Sequence, residues 1–321
     1  MRAVRIHDHG SEDVLQVETV ERPDPGGHEV LLEVAAAGVN PVDTYFRDGS
    51  YPPIGLPFTP GVDVAGTVAE VGEYVEGFDA GDRVFGTGIG NANFQGAYAE
   101  YASVPEDRLV ALPDGVDLTE AGAAGVAAVT AWVALVDHAE LRPAEHCLVH
   151  GGSGGVGHAA VQIAAAVSAR VVATAAPEYH DTLSGLGAET VLDYDRTDLA
   201  DAVRSASGGG VDAVLDHRLD DYLQFDAEVA TERGRVVGVG NNRAESTLTD
   251  LRGARAKDLN VRFMSMFNTP DLRVPIRGVA HLMDIGALSV EIADTFALSA
   301  ADEAHRAVME NSYLGKLVIK P

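Results

Sequence analysis

The sequence predicts an α/β protein, with a doubly wound parallel sheet in one domain and a second domain rich in β-strands. Three observations predict this fold class. Residues 1–120 contain short strand-like runs between turns, residues 121–265 alternate strand-like and helix-like runs, and five glycines separate a strand from a helix at 151–157. We expect the β-rich domain at 1–120, with 266–321 returning to it, and the α/β domain at 121–265.

The β-rich domain is predicted from runs that alternate or stay apolar between clusters of Gly, Pro and Asp. These runs are VRIHD, HEVLLEVAAAGV, VAGTVAEVG, DRVFGT and AYAEYASV. Because each is bounded by turn residues and none continues as a helical pattern, we expect strands here.

The α/β domain begins with a predicted helix, LTEAGAAGVAAVTAWVALVDHA. Its predicted strands are CLVHG, RVVATA, ETVLDY, VDAVLD, GRVVGVG and NVRFMSMF. Apolar runs of this length, separated by helical segments, are typical of a parallel sheet that is covered on both faces. After about residue 265 the pattern becomes irregular, until the strand-like KLVIKP at the end.

Composition excludes several classes of protein. Hydrophobic residues make up 46% of the 321 residues, and no run of about 18 apolar residues lacks a charge, so no membrane span is expected. The N-terminal MRAVRIHDHGSED has no apolar signal core, which predicts a cytoplasmic protein. The one cysteine, Cys147, rules out an internal disulfide and a cysteine-cluster zinc site.

The formal net charge is −26, with 49 acidic residues and only three lysines, Lys257, Lys316 and Lys320. An acidic surface repels phosphates, so no nucleic-acid partner is expected. The composition resembles that of a cytoplasmic protein from a salt-accumulating halophile, in which salt screens the self-repulsion of the surface. A merely acidic mesophilic enzyme is the alternative, but it fits the scarcity of lysine less well.

Gly152, Gly154 and Gly157 satisfy the pattern G-x-G-x-x-G after a predicted strand and before a predicted helix. In that context the first glycine permits a tight turn, the second lets the backbone approach a pyrophosphate, and the third lets the helix pack on the strand. Free N–H groups at the helix N-terminus favour an anion. The predicted cofactor-binding residues of this turn are Gly152, Ser153, Gly154, Gly155, Val156 and Gly157.

The end of the next strand indicates which dinucleotide binds. NAD sites place Asp or Glu there to hold the ribose 2′-OH, whereas this chain reads TAAPE from Thr174 onward, and Thr174 is the predicted cofactor contact at this strand end. A 2′-phosphate is therefore tolerated, and NADPH is favoured over NADH. No Arg or Lys lies in that loop, so the candidates to contact the phosphate are His180, Tyr194 and Arg196.

Several stretches of the chain, in order, resemble the zinc-free, zeta-crystallin-like quinone oxidoreductases of the medium-chain dehydrogenase/reductase superfamily. They are AAGVNPVDTYFRDGSYP, PFTPGVDVAGTVAEVG, GDRVFG, GAYAEYASVP, AVTAW, LVHGGSGGVG, VVGVGN and GKLVI. The resemblance implies a GroES-like substrate domain, a Rossmann domain and a cleft between them. It also implies a homodimer formed largely through the last Rossmann strand, around NVRFMSMF.

In the zinc-dependent relatives, a Cys follows the Gly-Val pair of the first of these motifs, and the sequence Gly-His-Glu comes shortly afterwards. This chain has Asn40 at the first place and PGVD, ending at Asp63, at the second. Neither supplies a thiolate or an imidazole, so no metal site is expected. Alcohol dehydrogenation is then disfavoured because no Lewis acid polarises the oxygen. Reduction of a quinone or an α,β-unsaturated carbonyl is favoured because the resulting anion is delocalised.

The resemblance also suggests catalytic residues. Tyr51 matches a proton-donating tyrosine of zinc-free enoyl reductases, and the alternative is an aromatic at the rim that stacks on substrate or on the next proline. Asn40 either orients substrate or cofactor or stabilises the turn before the following proline. Asp43 and Tyr45 resemble residues that contact the nicotinamide side, although Asp43 is equally suited to cap a helix.

The resemblance implies four further cofactor contacts, and at one segment this chain differs from the relatives. Thr130 matches a threonine near the nicotinamide ribose, Gly240 and Asn241 close the fifth Rossmann strand beside the nicotinamide, and Phe267 follows the sixth strand, where the family contacts the carboxamide. Where relatives have Asp-x-Val-Gly after the fourth strand, this chain reads VLDHRLDD. The two bulky residues there, His217 and Arg218, either supply the missing charge for a phosphate or shrink the pocket.

The leading hypothesis is an NADPH-dependent oxidoreductase that transfers a hydride to a quinone or an α,β-unsaturated carbonyl, with Tyr51 or solvent supplying the proton. One alternative is an enoyl thioester reductase, which would need a basic groove that the acidic composition disfavours. The other is a non-catalytic NADPH-binding protein. The expected partners are the small-molecule acceptor and a second copy of the chain.

Overall fold

A computed structural model describes residues 1–51, 55–91, 93–310 and 312–321 of the chain. They form two compact units, one comprising Met1–Val129 and Pro270–Pro321, the other Thr130–Thr269. The sequence places the boundaries at 120/121 and 265/266. The first boundary of the structure falls inside a continuous alanine-rich helix, where the sequence pattern does not change and therefore gives no signal.

The first unit contains a two-stranded antiparallel sheet, β1–β2, and a seven-stranded sheet in the order β14-β15-β3-β4-β5-β7, with β6 paired to β3. Its strands are β1 (Arg2–Arg5), β2 (Gln16–Thr19), β3 (Glu29–Val39), β4 (Asp63–Val71), β5 (Arg83–Thr87), β6 (Tyr101–Pro105), β7 (Leu109–Ala111), β14 (Ile292–Ala297) and β15 (Lys316–Lys320). Its helices are α1 (Pro41–Asp48), the first part of α2 (Leu118–Trp132), α8 (Arg273–Asp284) and α9 (Ala301–Glu310).

Two sequence expectations for this unit need correction. The run AYAEYASV is a strand only over Tyr101–Pro105, because Ala97 and Tyr98 bond to the backbone of Gly61 and Pro60 instead of joining the ladder. The region after 265 is not irregular. It contains α8, β14 and α9, and the returning strand β15 pairs with β3. The mixed polar pattern of exposed strand β14 explains why the alternation was not visible.

The second unit is a six-stranded parallel sheet in the order β10-β9-β8-β11-β12-β13, with helices between successive strands. Its strands are β8 (His146–Val149), β9 (Arg170–Ala175), β10 (Ala188–Asp193), β11 (Val211–Asp216), β12 (Ala230–Gly238) and β13 (Asn260–Phe263). Its helices are α3 (Gly155–Ala166), α4 (His180–Gly185), α5 (Leu199–Ala206), α6 (Leu219–Val229) and α7 (Leu251–Ala256). This strand order is the Rossmann order, so the predicted fold class is confirmed.

The order of the strands explains the continuous apolar runs. The central strands β8 and β11 lie between neighbours on both sides, and Leu148, Val172, Val214 and Val236 pack with one another at no more than 2% exposure. The predicted last strand is too long, because β13 ends at Phe263 and residues Met266–Asn268 form a short 3₁₀ helix.

Helix α2 continues as a π-helical segment, Val133–His138. Among the described residues, the run Leu118–His138 alone is long and apolar enough to cross a membrane, with a mean hydropathy of 1.5 over its 18-residue window. However, 72% of that window is buried inside the protein, which is the behaviour of a core helix.

Candidate functional site

The glycine-rich turn joins β8 to α3 in the second unit. Gly151 has φ +64°, a conformation that side chains disfavour, and the turn then closes tightly. A Cβ at Gly157 would lie 2.0 Å from the carbonyl oxygen of Gly151, so helix and turn can approach only because this residue is glycine. A Cβ at Gly154 would meet only that same oxygen, at 3.5 Å, so protein packing does not require glycine there.

The N-terminus of α3 has room and hydrogen-bond donors for an anion. Gly154 is the N-cap residue, and no side chain caps the helix. The backbone N–H groups of Gly155, Val156 and Gly157, in the first turn, have no acceptor within the helix. An open backbone face at Gly154 beside uncapped N–H groups fits the pyrophosphate of a dinucleotide. The turn would therefore hold NADPH as the sequence predicts.

Thr174, at the end of β9, holds this turn from below. Its side chain is 1% exposed, and its Oγ1 accepts a hydrogen bond from the Gly151 N–H at 3.1 Å. Its carbonyl oxygen accepts a second one from the Gly152 N–H at 2.7 Å. The sequence proposes Thr174 as a cofactor contact, whereas the structure uses its hydroxyl to support the backbone that would make that contact.

The groups near the expected adenosine ribose offer no free guanidinium. Arg196 forms a two-point ion pair with Asp198, at 2.7 and 3.0 Å, and His180 contacts the Ala175 carbonyl at 3.1 Å. Tyr194, which follows β10, is 44% exposed. Of the three candidates from the sequence, Tyr194 is therefore the one whose side chain is most available.

The structure separates the two alternatives for His217 and Arg218. The imidazole of His217 lies over Gly151, since a Cβ there would be 2.5 Å from its Cε1 atom. Arg218 pairs with Asp221 on its own helix, which leaves its charge compensated. His217 thus narrows the space beside the glycine turn, and Arg218 is not a free charge for a phosphate.

The remaining predicted cofactor contacts of this unit lie in different surroundings. Gly240 accepts a hydrogen bond from the Leu219 N–H at 3.1 Å, and Asn241 is exposed, with its side chain bonded to the Arg243 carbonyl. Thr130 is 7% exposed within a helix. Phe267 is half-buried in the 3₁₀ helix that follows β13.

In the first unit, Asn40 and Asp43 form the capping box of α1. Asn40 is the N-cap residue and its N–H donates to the Asp43 carboxylate at 2.8 Å. Asp43 also accepts from the Val62 N–H and the Tyr98 hydroxyl. Burial, followed by the charge of Asp63, raises the pKa of Asp43 to about 7. The capping alternative for Asp43 is therefore the one that the structure supports.

Both polar atoms of the Asn40 amide are engaged in a buried network. Its Nδ2 donates to Asp63 at 2.7 Å, and its Oδ1 accepts from the Lys316 ammonium at 2.5 Å. Asp63 accepts further bonds from the Thr87 hydroxyl and the Val126 N–H, both at 2.7 Å. Sequence reasoning missed Lys316, because a lysine in the strand GKLVI carries no sign that its ammonium turns inward.

Tyr45 and Tyr51 stack on each other, with ring centroids 5.7 Å apart and planes at 16°. Tyr51 also meets Phe46 edge-on and is 39% exposed, so its ring is held while its surface stays accessible. Burial, and then the nearby Tyr51, raises the pKa of Tyr45. The proline at 52, named as an alternative stacking partner of Tyr51, lies outside the described residues.

Within the part of the chain that the structure describes, no group of three or more His, Cys, Asp or Glu side chains is arranged to hold a metal ion. The two positions compared with zinc ligands in the sequence, Asn40 and Asp63, bond to each other, and Asn40 also accepts a hydrogen bond from the Lys316 ammonium.

Comparison with known proteins supports this description. Residues 26–114 match the family model of the alcohol dehydrogenase GroES-like domain, and residues 186–319 match that of zinc-binding dehydrogenases. The human quinone oxidoreductase is 33% identical over 327 residues, covering 99% of this chain and 97% of that protein.

Solved structures agree over the full length. A structure described as an NAD-dependent alcohol dehydrogenase has a TM-score of 0.92 at 29% identity, and Escherichia coli quinone oxidoreductase complexed with NADPH has a TM-score of 0.89 at 28% identity. Each covers 100% of both chains. The chain therefore belongs to the quinone oxidoreductase family of the medium-chain dehydrogenases and reductases.

Proposed function

We propose that this protein is an NADPH-dependent oxidoreductase that reduces a quinone or an α,β-unsaturated carbonyl. The observation that carries the proposal is the uncapped α3 N-terminus beside the open face of Gly154, in a chain that matches quinone oxidoreductases over its whole length. When bound, NADPH supplies the hydride. The protein's own residues bind NADPH, orient the acceptor and supply the proton.

The residues of the first unit favour an acceptor that is already electron-poor. Asn40 and Asp63 offer an amide and a carboxylate, which bond to each other, and Asn40 also accepts from Lys316, whereas zinc in alcohol dehydrogenation needs thiolate and imidazole ligands. A quinone or an enone needs no such activation, because its reduced anion is delocalised. The TM-score of 0.92 to a structure described as an alcohol dehydrogenase makes alcohol oxidation the rival to test.

The assay follows NADPH oxidation with 1,4-benzoquinone, 9,10-phenanthrenequinone and a simple enone in concentrated KCl. NAD⁺ reduction with primary and secondary alcohols is measured in parallel. We expect oxidation of NADPH by at least one acceptor and no reduction of NAD⁺. NADPH binding without oxidation by any acceptor would support the non-catalytic alternative, and alcohol-dependent reduction would overturn the proposal.

Tyr51 is proposed as the proton donor to the reduced enone. Its ring is fixed by Tyr45 and Phe46 and remains exposed, as a donor to a bound acceptor must be. Tyr51→Phe should lower enone turnover by about 10²-fold and leave the Kd for NADPH within about twofold. Tyr74→Phe, at an exposed tyrosine of the same unit that has no proposed role, is the matched control. Enone turnover that is unchanged in Tyr51→Phe would remove Tyr51 from the mechanism.

We also propose that the protein works as a homodimer in the cytoplasm of a cell with high internal salt. The dimer is supported by the exposed edge strand β13 and the salt by the net charge of −26. Cytoplasmic location is supported by the burial of the one long apolar helical run among the described residues. Cell fractionation would find the protein with the soluble contents.

A further inference from the structure

A row of buried polar side chains lies directly under the glycine turn. Thr174 at the end of β9, His150 after β8, Asp216 at the end of β11 and Asp226 on α6 are each no more than 1% exposed. None of them has a role in the proposed chemistry. Their hydrogen bonds nevertheless connect two loops at the carboxyl edge of the sheet.

At one end, the row holds the glycine turn. The Gly151 N–H donates to Thr174 Oγ1 at 3.1 Å, and Thr174 Oγ1 lies 3.5 Å from His150 Nδ1. The other ring nitrogen, His150 Nε2, lies 2.9 Å from Asp226 Oδ1. The ring itself is fixed between neighbours, stacked on Tyr222 with centroids 4.4 Å apart and planes at 8°, and met edge-on by Phe225.

At the other end, the row holds the loop after β11. Asp216 Oδ1 accepts a hydrogen bond from the Arg218 N–H at 2.7 Å. The carboxyl groups of Asp216 and Asp226 interact with each other, and this interaction raises the pKa of Asp216 and lowers that of Asp226. The Oδ2 atom of each is buried and has no hydrogen-bond partner in the structure.

One proton between these two Oδ2 atoms would satisfy both of them, and it leaves Asp226 Oδ1 as a hydrogen-bond acceptor. If Asp226 Oδ2–H donates to Asp216, then Asp226 Oδ1 accepts from His150 Nε2–H. His150 Nδ1 then accepts from the Thr174 hydroxyl, whose oxygen accepts from the Gly151 N–H. With that proton in place, each of these atoms has the partner that it requires.

We propose that Asp216 and Asp226 share one proton, and that this proton orders a hydrogen-bond chain through His150 and Thr174 that positions the glycine turn for the cofactor. These are positioning residues, since none of them contacts the expected ligand. The inference rests on the proposed function only where a test measures NADPH binding. The proton itself is a property of the free protein.

The electrostatics of the cluster agree with a shared proton and a neutral imidazole. Burial raises the pKa of Asp226 to about 8, and burial together with the charge of Asp226 raises that of Asp216. Burial lowers the pKa of His150 to about 4. The other titratable or charged groups that face the cluster are His217 and Arg218 from the loop and Tyr222 from α6.

The first test breaks the chain at Thr174. Thr174→Val keeps the shape and removes the hydroxyl, and Thr174→Ser restores it. We expect the Kd for NADPH, measured by its fluorescence, to rise about fivefold or more in Thr174→Val, with recovery in Thr174→Ser and a smaller change in kcat at saturating NADPH. Equal Kd values for Thr174→Val and the native protein would overturn the proposal.

The second test changes the proton. Asp226→Asn places a neutral amide where the protonated carboxyl stands, so its N–H can donate to Asp216 and its oxygen can accept from His150. The native Kd for NADPH should rise as the pH goes from 7 to 9 and the shared proton leaves, whereas Asp226→Asn should bind like the native protein at pH 7 and lose that rise. Asp226→Leu should bind weakly at every pH. A native pH profile in Asp226→Asn would contradict the inference.

The third test uses the cofactor-free protein. ¹⁵N imidazole spectra at pH 7 should show His150 as the neutral tautomer with its proton on Nε2, assigned by the signal that His150→Asn lacks. A proton on Nδ1, or a charged ring, would refute the chain. Because no NADPH is present, a protein that fails to bind NADPH would disprove the proposed function without deciding this measurement.

Discussion

Lys316 places a buried ammonium beside Asn40 and near Asp63, the two positions that the sequence compares with zinc ligands. Lys316 is 4% exposed, and its ammonium donates to the Val39 carbonyl at 2.6 Å and to Asn40 Oδ1 at 2.5 Å. The negative charge of Asp63 compensates its positive charge. Burial raises the pKa of Asp63, and the charge of Lys316 opposes that rise. The two charges therefore depend on each other.

Removal of one of these charges should be more harmful than removal of both. Lys316→Met should lower the free energy of unfolding by about 3–5 kcal/mol at pH 7, because Asp63 is left buried without a counter-charge. Lys316→Met with Asp63→Asn should recover part of the loss, as the Asn40 amide can then reverse and accept from the new amide. Lys320→Met, at the exposed end of the same strand, is the control. Denaturant titration measures these three variants, Asp63→Asn alone and the native protein, and strictly additive effects would contradict this account.

The residue scale also shows where sequence reasoning stops. The sequence identifies the glycines of the turn from their spacing between a strand and a helix, and at Gly157 the close approach of the Gly151 carbonyl requires glycine. The sequence also predicts contacts with a ligand for Thr174 and, with a turn-stabilising role as the alternative, for Asn40, because a sequence gives no direction for a side chain. The sequence does not identify His150, Asp226 or Lys316, because their roles depend on distant partners. His150 and Asp226 are 76 residues apart, and Lys316 is 276 residues from Asn40.

At the scale of elements, β13 lies at one end of the six-stranded parallel sheet and carries a large apolar side chain. Phe263, its last residue, is 76% exposed. Open edges that carry apolar side chains pair with other chains. A second β13 along this edge would continue the sheet, in agreement with the proposed homodimer.

This arrangement predicts the oligomeric state and the variant that changes it. Light scattering after size exclusion in KCl should give twice the 33.6 kDa mass of the chain. Phe263→Asp should shift the mass toward the monomer, whereas Leu251→Asp, an equally accessible apolar site on α7 at 69% exposure, should not. A monomeric native protein, or the same shift in both variants, would show that β13 is not the interface.

At the scale of the whole molecule, the charge of −26 determines the response to salt. Like charges on the surface repel one another and destabilise the folded state, and the screening length falls from about 10 Å at 0.1 M salt to about 3 Å at 1 M. The melting temperature at pH 7 should therefore rise by roughly 5 °C or more between 0.1 and 2 M KCl.

The control for this prediction is the pH. Near the sequence pI of about 4.6 the net charge approaches zero, so the same increase in KCl should change the melting temperature much less. Differential scanning calorimetry at the two pH values compares the salt effects directly. A melting temperature that falls with KCl at pH 7 would show that the acidic surface is not what limits stability.

The sequence by itself determined the fold class, the apolar strands of the parallel sheet, the glycine-rich turn and the family. All of these depend on local features, namely hydrophobic periodicity, turn residues and short motifs. Only the tertiary structure decided which polar side chains bond to other groups of the protein and not to a ligand. Hydrogen-bond direction, burial and shared protons are properties of groups brought together from distant positions, so the cluster at Asp226 and the ammonium at Lys316 became visible only in the folded chain.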